Sequence, residues 1–148
     1  MYKKILIATD GSELAGKALS HGLELANKFD AAVTVVTVTE LWPPVEMAAQ
    51  VQSGHAHPIE DFERNVAAWA EKILSAAAAK AEEAGVSCET VHLPDSHPAD
   101  GIIETALKKD CDLIVMASHG YRGVRKMLLG SVANEVLAHS SVPVLICR

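Results

Sequence analysis

Five short runs rich in apolar or β-branched residues recur along the chain, and segments suited to helices separate them. A continuous run of this kind is typical of a strand that is buried on both faces of a parallel sheet. The five predicted strands cover residues 4–9, 32–38, 86–92, 112–117 and 142–147. The third run alternates less cleanly than the others and is the weakest of the five.

Helical segments lie between these runs. The four predicted helices cover residues 13–28, 61–84, 98–109 and 131–139. Ser12 is suited to cap the first helix, because its hydroxyl can bind free amide groups, and Gly85 is suited to end the second. The alternation of strand and helix predicts an α/β fold: a three-layer αβα sandwich in which a five-stranded parallel sheet carries helices on both faces.

The segment 40–60 fits neither pattern, and we predict that it is an irregular connection. Loops of this length are usually lids, binding loops or disordered segments. The total length of 148 residues suits one compact unit, so residues 1–148 are predicted to form a single domain.

The chain is acidic, with a formal net charge of −6. This balance argues against binding to nucleic acid or to an anionic membrane, since both require an excess of lysine and arginine. The apolar run that begins at Ile5 is interrupted by Asp10, too early for a signal peptide. The cysteines Cys88, Cys111 and Cys147 form no CxxC motif, which predicts free thiols in a reducing compartment. These features together predict a cytoplasmic protein.

Ligands of open α/β sheets bind beyond the carboxyl ends of the strands, where the strand order reverses. Asp10 follows the first strand directly and precedes Gly11. Its carboxylate is suited to bind a ligand hydroxyl, a ring nitrogen or a metal. The alternative is a purely local role in the turn and the helix cap.

The segment 116–131 joins the fourth strand to the last helix. Three of its glycines allow backbone amides to approach an anion closely: Gly120, Gly123 and Gly130. Ser131 stands at a helix N-terminus, which favours phosphate. Three cations lie within the same segment: Arg122, Arg125 and Lys126. This pattern predicts a phosphate site, and the alternative is a surface loop with solvated charges.

The two segments meet only if the first and fourth strands are neighbours, as in the strand order 3-2-1-4-5. His119, inside the second segment, is suited either to donate to a phosphate or to bind the loop backbone. The chain contains neither GxxxxGK[ST] nor GxGxxG, so neither a P-loop nor a dinucleotide fingerprint is present.

Over its whole length the chain resembles the universal stress protein family. The resemblance rests on the opening KKILIATDGSELAGKAL and on the run DLIVMASHGYRGVRKMLLGSVANEVLAHSSVPVLI. ATP-binding members carry the pattern G-x2-G-x9-G-[ST], and the corresponding residues here are Ala117, Gly120, Gly130 and Ser131. Ala117 replaces the first glycine, and its methyl group is expected to crowd a ligand that approaches the backbone closely.

The resemblance implies a Rossmann-like fold of the adenine-nucleotide alpha hydrolase-like type and a binding site. Four residues would border the adenine and ribose: Ala8, Thr9, Asp10 and Val38. Three would run along the base, ribose and phosphates: Met116, Ala117 and Gly120. Three would close on the phosphates: Gly130, Ser131 and Val132.

The resemblance also implies a ligand and a role. The ligand would be ATP, with ADP or AMP as alternatives and Mg²⁺ as an accompanying ion. The protein would act as a stress-response or signalling module and form a homodimer through the strand Val142 to Cys147, with a protein partner that the sequence does not identify. Two alternatives stay open, a slow ATPase using Asp10 or His119 and a ligand-free interaction domain.

Overall fold

The computed structural model describes residues 1–40, 44–54, 56–121 and 128–148 of the chain. The strands are β1 (Lys4–Ala8), β2 (Ala32–Val38), β3 (Cys88–Leu93), β4 (Leu113–Ala117) and β5 (Val144–Cys147). The helices are α1 (Glu13–Phe29), α2 (Pro44–Gln52), α3 (Pro58–Glu83), α4 (Pro98–Lys108) and α5 (Ser131–His139).

The strands form one parallel sheet in the order β3-β2-β1-β4-β5, which confirms the predicted fold class and strand order. Alternate residues of β1 face opposite sides of the sheet. Ile5 and Ile7 pack into a cluster with residues of α1 and α3, whereas Leu6 and Ala8 pack into a second cluster with residues of α4 and α5. Because both faces are covered, residues 5–8 of β1 and all of β4 are buried, and these residues read as continuous apolar runs.

The predicted end signals lie where the helices begin and end. The Ser12 hydroxyl accepts a hydrogen bond from the Ala15 amide at 3.2 Å and so caps α1. Gly85 follows the last turn of α3 with a φ of +70°, a left-handed conformation that glycine adopts without strain. The fifth strand begins at Val144 and not at residue 142, since Pro143 has no amide hydrogen to give to a ladder.

The prediction of an irregular connection over residues 40–60 is wrong. This segment contains α2 and the first residues of α3, which begin at Pro44 and Pro58. Proline in the first turn of a helix is tolerated, because the amide that it lacks would have no partner there. Residues 41–43 and 55 of this segment lie outside the described ranges.

No helix in the described ranges is long and apolar enough to cross a membrane. The three cysteines are free thiols, as predicted, and Cys111 and Cys147 are buried. Burial raises the pKa of all three thiols above the ordinary value, which lowers their reactivity.

His92 lies on the edge strand β3 and gives stability a pH dependence. Its Nε2 lies 2.9 Å from Thr39 Oγ1, and burial lowers the pKa of His92, an effect that the charge of Asp95 partly opposes. As the pH falls below about 6.5, the unfolded chain therefore binds a proton more readily than the folded protein does. The free energy of unfolding is expected to fall in this range, measured by urea unfolding at several pH values.

The variant His92→Gln is the matched comparison, since glutamine keeps a polar group near Thr39 and does not titrate. Its unfolding free energy is expected to fall less between neutral and mildly acidic pH. An equal fall in both proteins would show that His92 is not the cause.

Candidate functional site

The turn after β1 holds the carboxylate of Asp10 in a fixed position. The Thr9 hydroxyl accepts from the Gly11 amide at 3.1 Å, and Asp10 Oδ1 accepts from the Ser12 amide at 3.0 Å. Gly11 has a φ of +78°, and a Cβ at this position would lie 2.7 Å from Cδ1 of Ile73 on α3. Asp10 therefore has the local turn role considered above, but this role uses only one of its oxygens.

The second oxygen of Asp10 reaches across to the loop that follows β4. Asp10 Oδ2 accepts a hydrogen bond from the Tyr121 amide at 2.8 Å, and the Tyr121 hydroxyl donates to the Gly11 carbonyl at 3.0 Å. A Cβ at Gly120 would collide with Asp10 Oδ2, so this backbone contact requires glycine. Two segments about 110 residues apart in the sequence thus meet at one carboxylate.

The start of α5 closes the same loop. The Gly130 amide donates to the Ser118 carbonyl at 2.7 Å, and Gly130 is the N-cap residue of the helix. No described side chain caps this helix, and Ser131 is exposed on its first turn. The first amides of a helix, here those of Ser131 and Val132, have no partner within the helix and carry its positive dipole end. The geometry suits an anion.

Four of the predicted apolar site residues share one face of the sheet. They are Ala8 and Met116, inside the core cluster under α4 and α5, and Val38 and Val132, packed against it. Ala117 belongs to the opposite cluster, under α1. Its methyl group therefore packs on the opposite face of the sheet from Ala8 and Met116. The expected crowding of a ligand by this methyl group stays a prediction.

His119 packs beneath the start of α5. Its Nδ1 lies 2.9 Å from the Ser118 hydroxyl, and a Cβ at Gly130 would lie 3.8 Å from its Cδ2. Its Nε2 is buried without a hydrogen-bond partner among the described residues. The ring thus supports the loop and retains one unused hydrogen-bonding nitrogen.

Part of the predicted site lies outside the ranges that the structure describes. Four predicted residues lie outside them: Arg122, Gly123, Arg125 and Lys126. Within the described ranges, no group of three histidine, cysteine or acidic side chains is placed to hold a metal ion.

A groove of about 430 Å³ lies elsewhere, between α3 and β3. Its lining residues, among them Leu74 and His92, belong to α3 and β3 and include neither Asp10 nor Gly120. Tyr121 is the functional candidate that the sequence prediction missed. No local sequence signal marked it, because its bonds to Asp10 and Gly11 join segments that are distant in the sequence.

The profile of the universal stress protein family matches residues 1–148. This chain belongs to the universal stress protein family. It is 36% identical over 148 residues to a universal stress protein of Methanocaldococcus jannaschii, covering 100% of this chain and 83% of the relative. It is 35% identical over 149 residues to the universal stress protein YxiE of Bacillus subtilis, covering all of both chains.

Solved structures share the fold of this universal stress protein. The hypothetical protein MJ0577 superposes with a TM-score of 0.79 at 27% identity, over 99% of this chain and 96% of the other. The universal stress protein of Archaeoglobus fulgidus in complex with dAMP superposes with a TM-score of 0.71 at 25% identity, over 99% and 98%.

Proposed function

We propose that this universal stress protein binds an adenine nucleotide in the crevice between the turn after β1 and the loop after β4. One observation carries the proposal: the Asp10 carboxylate lies at the carboxyl end of β1 and contacts the Gly120–Tyr121 backbone after β4. Strands β2 and β4 flank β1 on opposite sides, so this is where the sheet reverses its winding and where such sheets bind ligands. The dAMP complex of the Archaeoglobus fulgidus relative supports an adenine nucleotide as the ligand class.

The base and the ribose would use different parts of the crevice. The apolar side chains of Ala8, Val38 and Met116 share one face of the sheet and suit the flat surface of a base. The carboxylate of Asp10 only accepts hydrogen bonds when ionised, so it would bind a ribose hydroxyl or an amino group. Thr9 would lie beside the ligand, although its hydroxyl already accepts from Gly11.

The phosphates would lie at the start of α5. The amides of Ser131 and Val132 and the exposed Ser131 hydroxyl supply donors, and the helix dipole favours negative charge. ATP is the proposed ligand, because the sequence between Gly120 and Gly130 adds three cations for a polyphosphate. Mg²⁺ would be carried mainly by the phosphates themselves.

The proposed role is that of a cytoplasmic stress-response or signalling module in which the nucleotide changes contacts with a second copy and with a protein partner. Strand β5 is an edge of the sheet, with Leu145 38% exposed. An open apolar edge is a ready surface for pairing with another strand, which supports a homodimer through Val142 to Cys147.

Thermal unfolding with ATP, ADP, AMP, GTP and inorganic triphosphate tests the proposal. A ligand at 100 times its Kd stabilises the folded state by about 2.7 kcal/mol, which corresponds to a rise in Tm of roughly 5–10 °C for a chain of this size. We expect such a rise with ATP and a smaller one with GTP. No rise in Tm with millimolar ATP, ADP or AMP would contradict nucleotide binding. An equal rise in Tm with inorganic triphosphate alone would show that the site binds anions and does not recognise the nucleoside.

A further inference from the structure

Residues 119–121, here called the strap, are tied to the turn after β1 at two points. The Tyr121 amide donates to Asp10 Oδ2 at 2.8 Å, and its hydroxyl donates to the Gly11 carbonyl at 3.0 Å. The second bond is made by the hydroxyl at the tip of the Tyr121 side chain, and Tyr121 is 68% exposed. Little apolar packing therefore holds this side chain, and the hydroxyl bond to Gly11 is its main attachment among the described contacts.

The strap covers the carboxylate oxygen that the proposed nucleotide needs. Asp10 Oδ1 already accepts from Ser12, and Oδ2 accepts from Tyr121. The Gly120 backbone is so close to Oδ2 that there is no space for a Cβ, and hence none for a ligand atom, between them. A ligand that inserts between Asp10 and Gly120 must first move the strap.

We propose that the strap is a gate that holds the nucleotide crevice closed in the empty protein, and that the hydroxyl of Tyr121 sets how often it opens. This inference rests on the proposed nucleotide site. When only the open form binds, the apparent Kd equals the intrinsic Kd divided by the open fraction. Removing one hydrogen bond that holds the closed form therefore raises the open fraction and tightens binding.

The variant Tyr121→Phe removes the hydroxyl and keeps the ring and the amide. A single hydrogen bond changes such an equilibrium by about two- to tenfold. We expect the Kd for ATP to fall by this factor and the association rate constant to rise, measured by stopped-flow fluorescence with a labelled ATP. The matched control is Tyr2→Phe, since Tyr2 packs edge-on against Phe29 at a ring distance of 5.6 Å, away from the strap.

An unchanged or weaker affinity of Tyr121→Phe, with Tyr2→Phe binding as the wild type does, would overturn the gate. Absence of binding in all three proteins would instead contradict the proposed function. Hydrogen exchange of the Tyr121 amide, followed by NMR without nucleotide, measures opening directly. We expect exchange about two- to tenfold faster in Tyr121→Phe, and equal exchange would also overturn the gate.

Discussion

Replacing Gly130 with valine is expected to weaken ATP binding by about ten- to a hundredfold while the protein stays folded. The backbone of Gly130, with φ −73° and ψ 167°, is allowed for any residue, so valine causes no conformational strain there. Its Cβ would lie 3.1 Å from the Ser118 carbonyl oxygen and 3.5 Å from the His119 Cα. The start of α5 must therefore move away from the loop after β4.

This movement takes the amides of Ser131 and Val132 away from the proposed phosphate position. Hydrogen bonds to charged groups contribute about 1.5–3 kcal/mol each, and the loss of one accounts for the expected change in Kd. Isothermal titration calorimetry measures it. Gly16→Val is the matched control, since a Cβ at Gly16 has no atom within 4 Å. Wild-type affinity in a folded Gly130→Val protein would refute this phosphate site.

Replacing Gly22 with valine is expected to lower the free energy of unfolding by about 2–3 kcal/mol, because it overfills a packed core. Gly22 lies on α1 where this helix crosses the sheet. A Cβ there would lie 2.5 Å from Ile7 Cδ1 and 3.6 Å from Val115 Cγ1, and both of these side chains are fully buried. The helix can relieve the contact only by moving away from β1 and β4.

Urea or thermal unfolding measures this loss, which corresponds to a fall in Tm of roughly 5–10 °C. The same Gly16→Val protein serves as control, since it makes the identical chemical change six residues earlier on α1. We expect its stability to stay within about 0.5 kcal/mol of the wild type. A similar loss at both positions would show that the contact with Ile7 is not the cause, since valine has a higher helix propensity than glycine.

The fold was predictable because its signals are local. Runs such as Ile5–Ala8 are apolar throughout since both faces of the sheet are covered, and Gly85 and Pro98 mark helix ends at the expected places. Helix α2 was missed for a physical reason. The pair Pro43-Pro44 suggests a break in regular structure. A proline in the first turn of a helix is nevertheless well tolerated, so the same residues are compatible with a helix that begins there. The sequence pattern alone does not decide between a break and a helix start.

The candidate site was predictable only in part. The order of the strands brings Asp10 and Gly120 together. The alternation of elements predicts only a parallel sheet, and the order 3-2-1-4-5 entered the prediction as the condition for the two loops to meet. Ala117 is the last residue of β4, and its methyl group points to the face of the sheet under α1. The glycine motif alone does not indicate which face of the sheet this residue occupies. The bonds of Tyr121 to Asp10 and Gly11 join distant parts of the chain, so no local pattern reveals them.

The central position of β1 has a consequence for how the protein is made. One neighbour of β1 is β2, which follows it closely, but the other is β4, which begins at Leu113. At ribosomal rates of about 5–20 residues per second, the β4 side of β1 stays open for roughly 5–20 s after β1 is synthesised. A nascent chain with this topology exposes an apolar strand edge, which is the kind of surface that chaperones bind. The edge stays exposed until β4 is synthesised and pairs with β1.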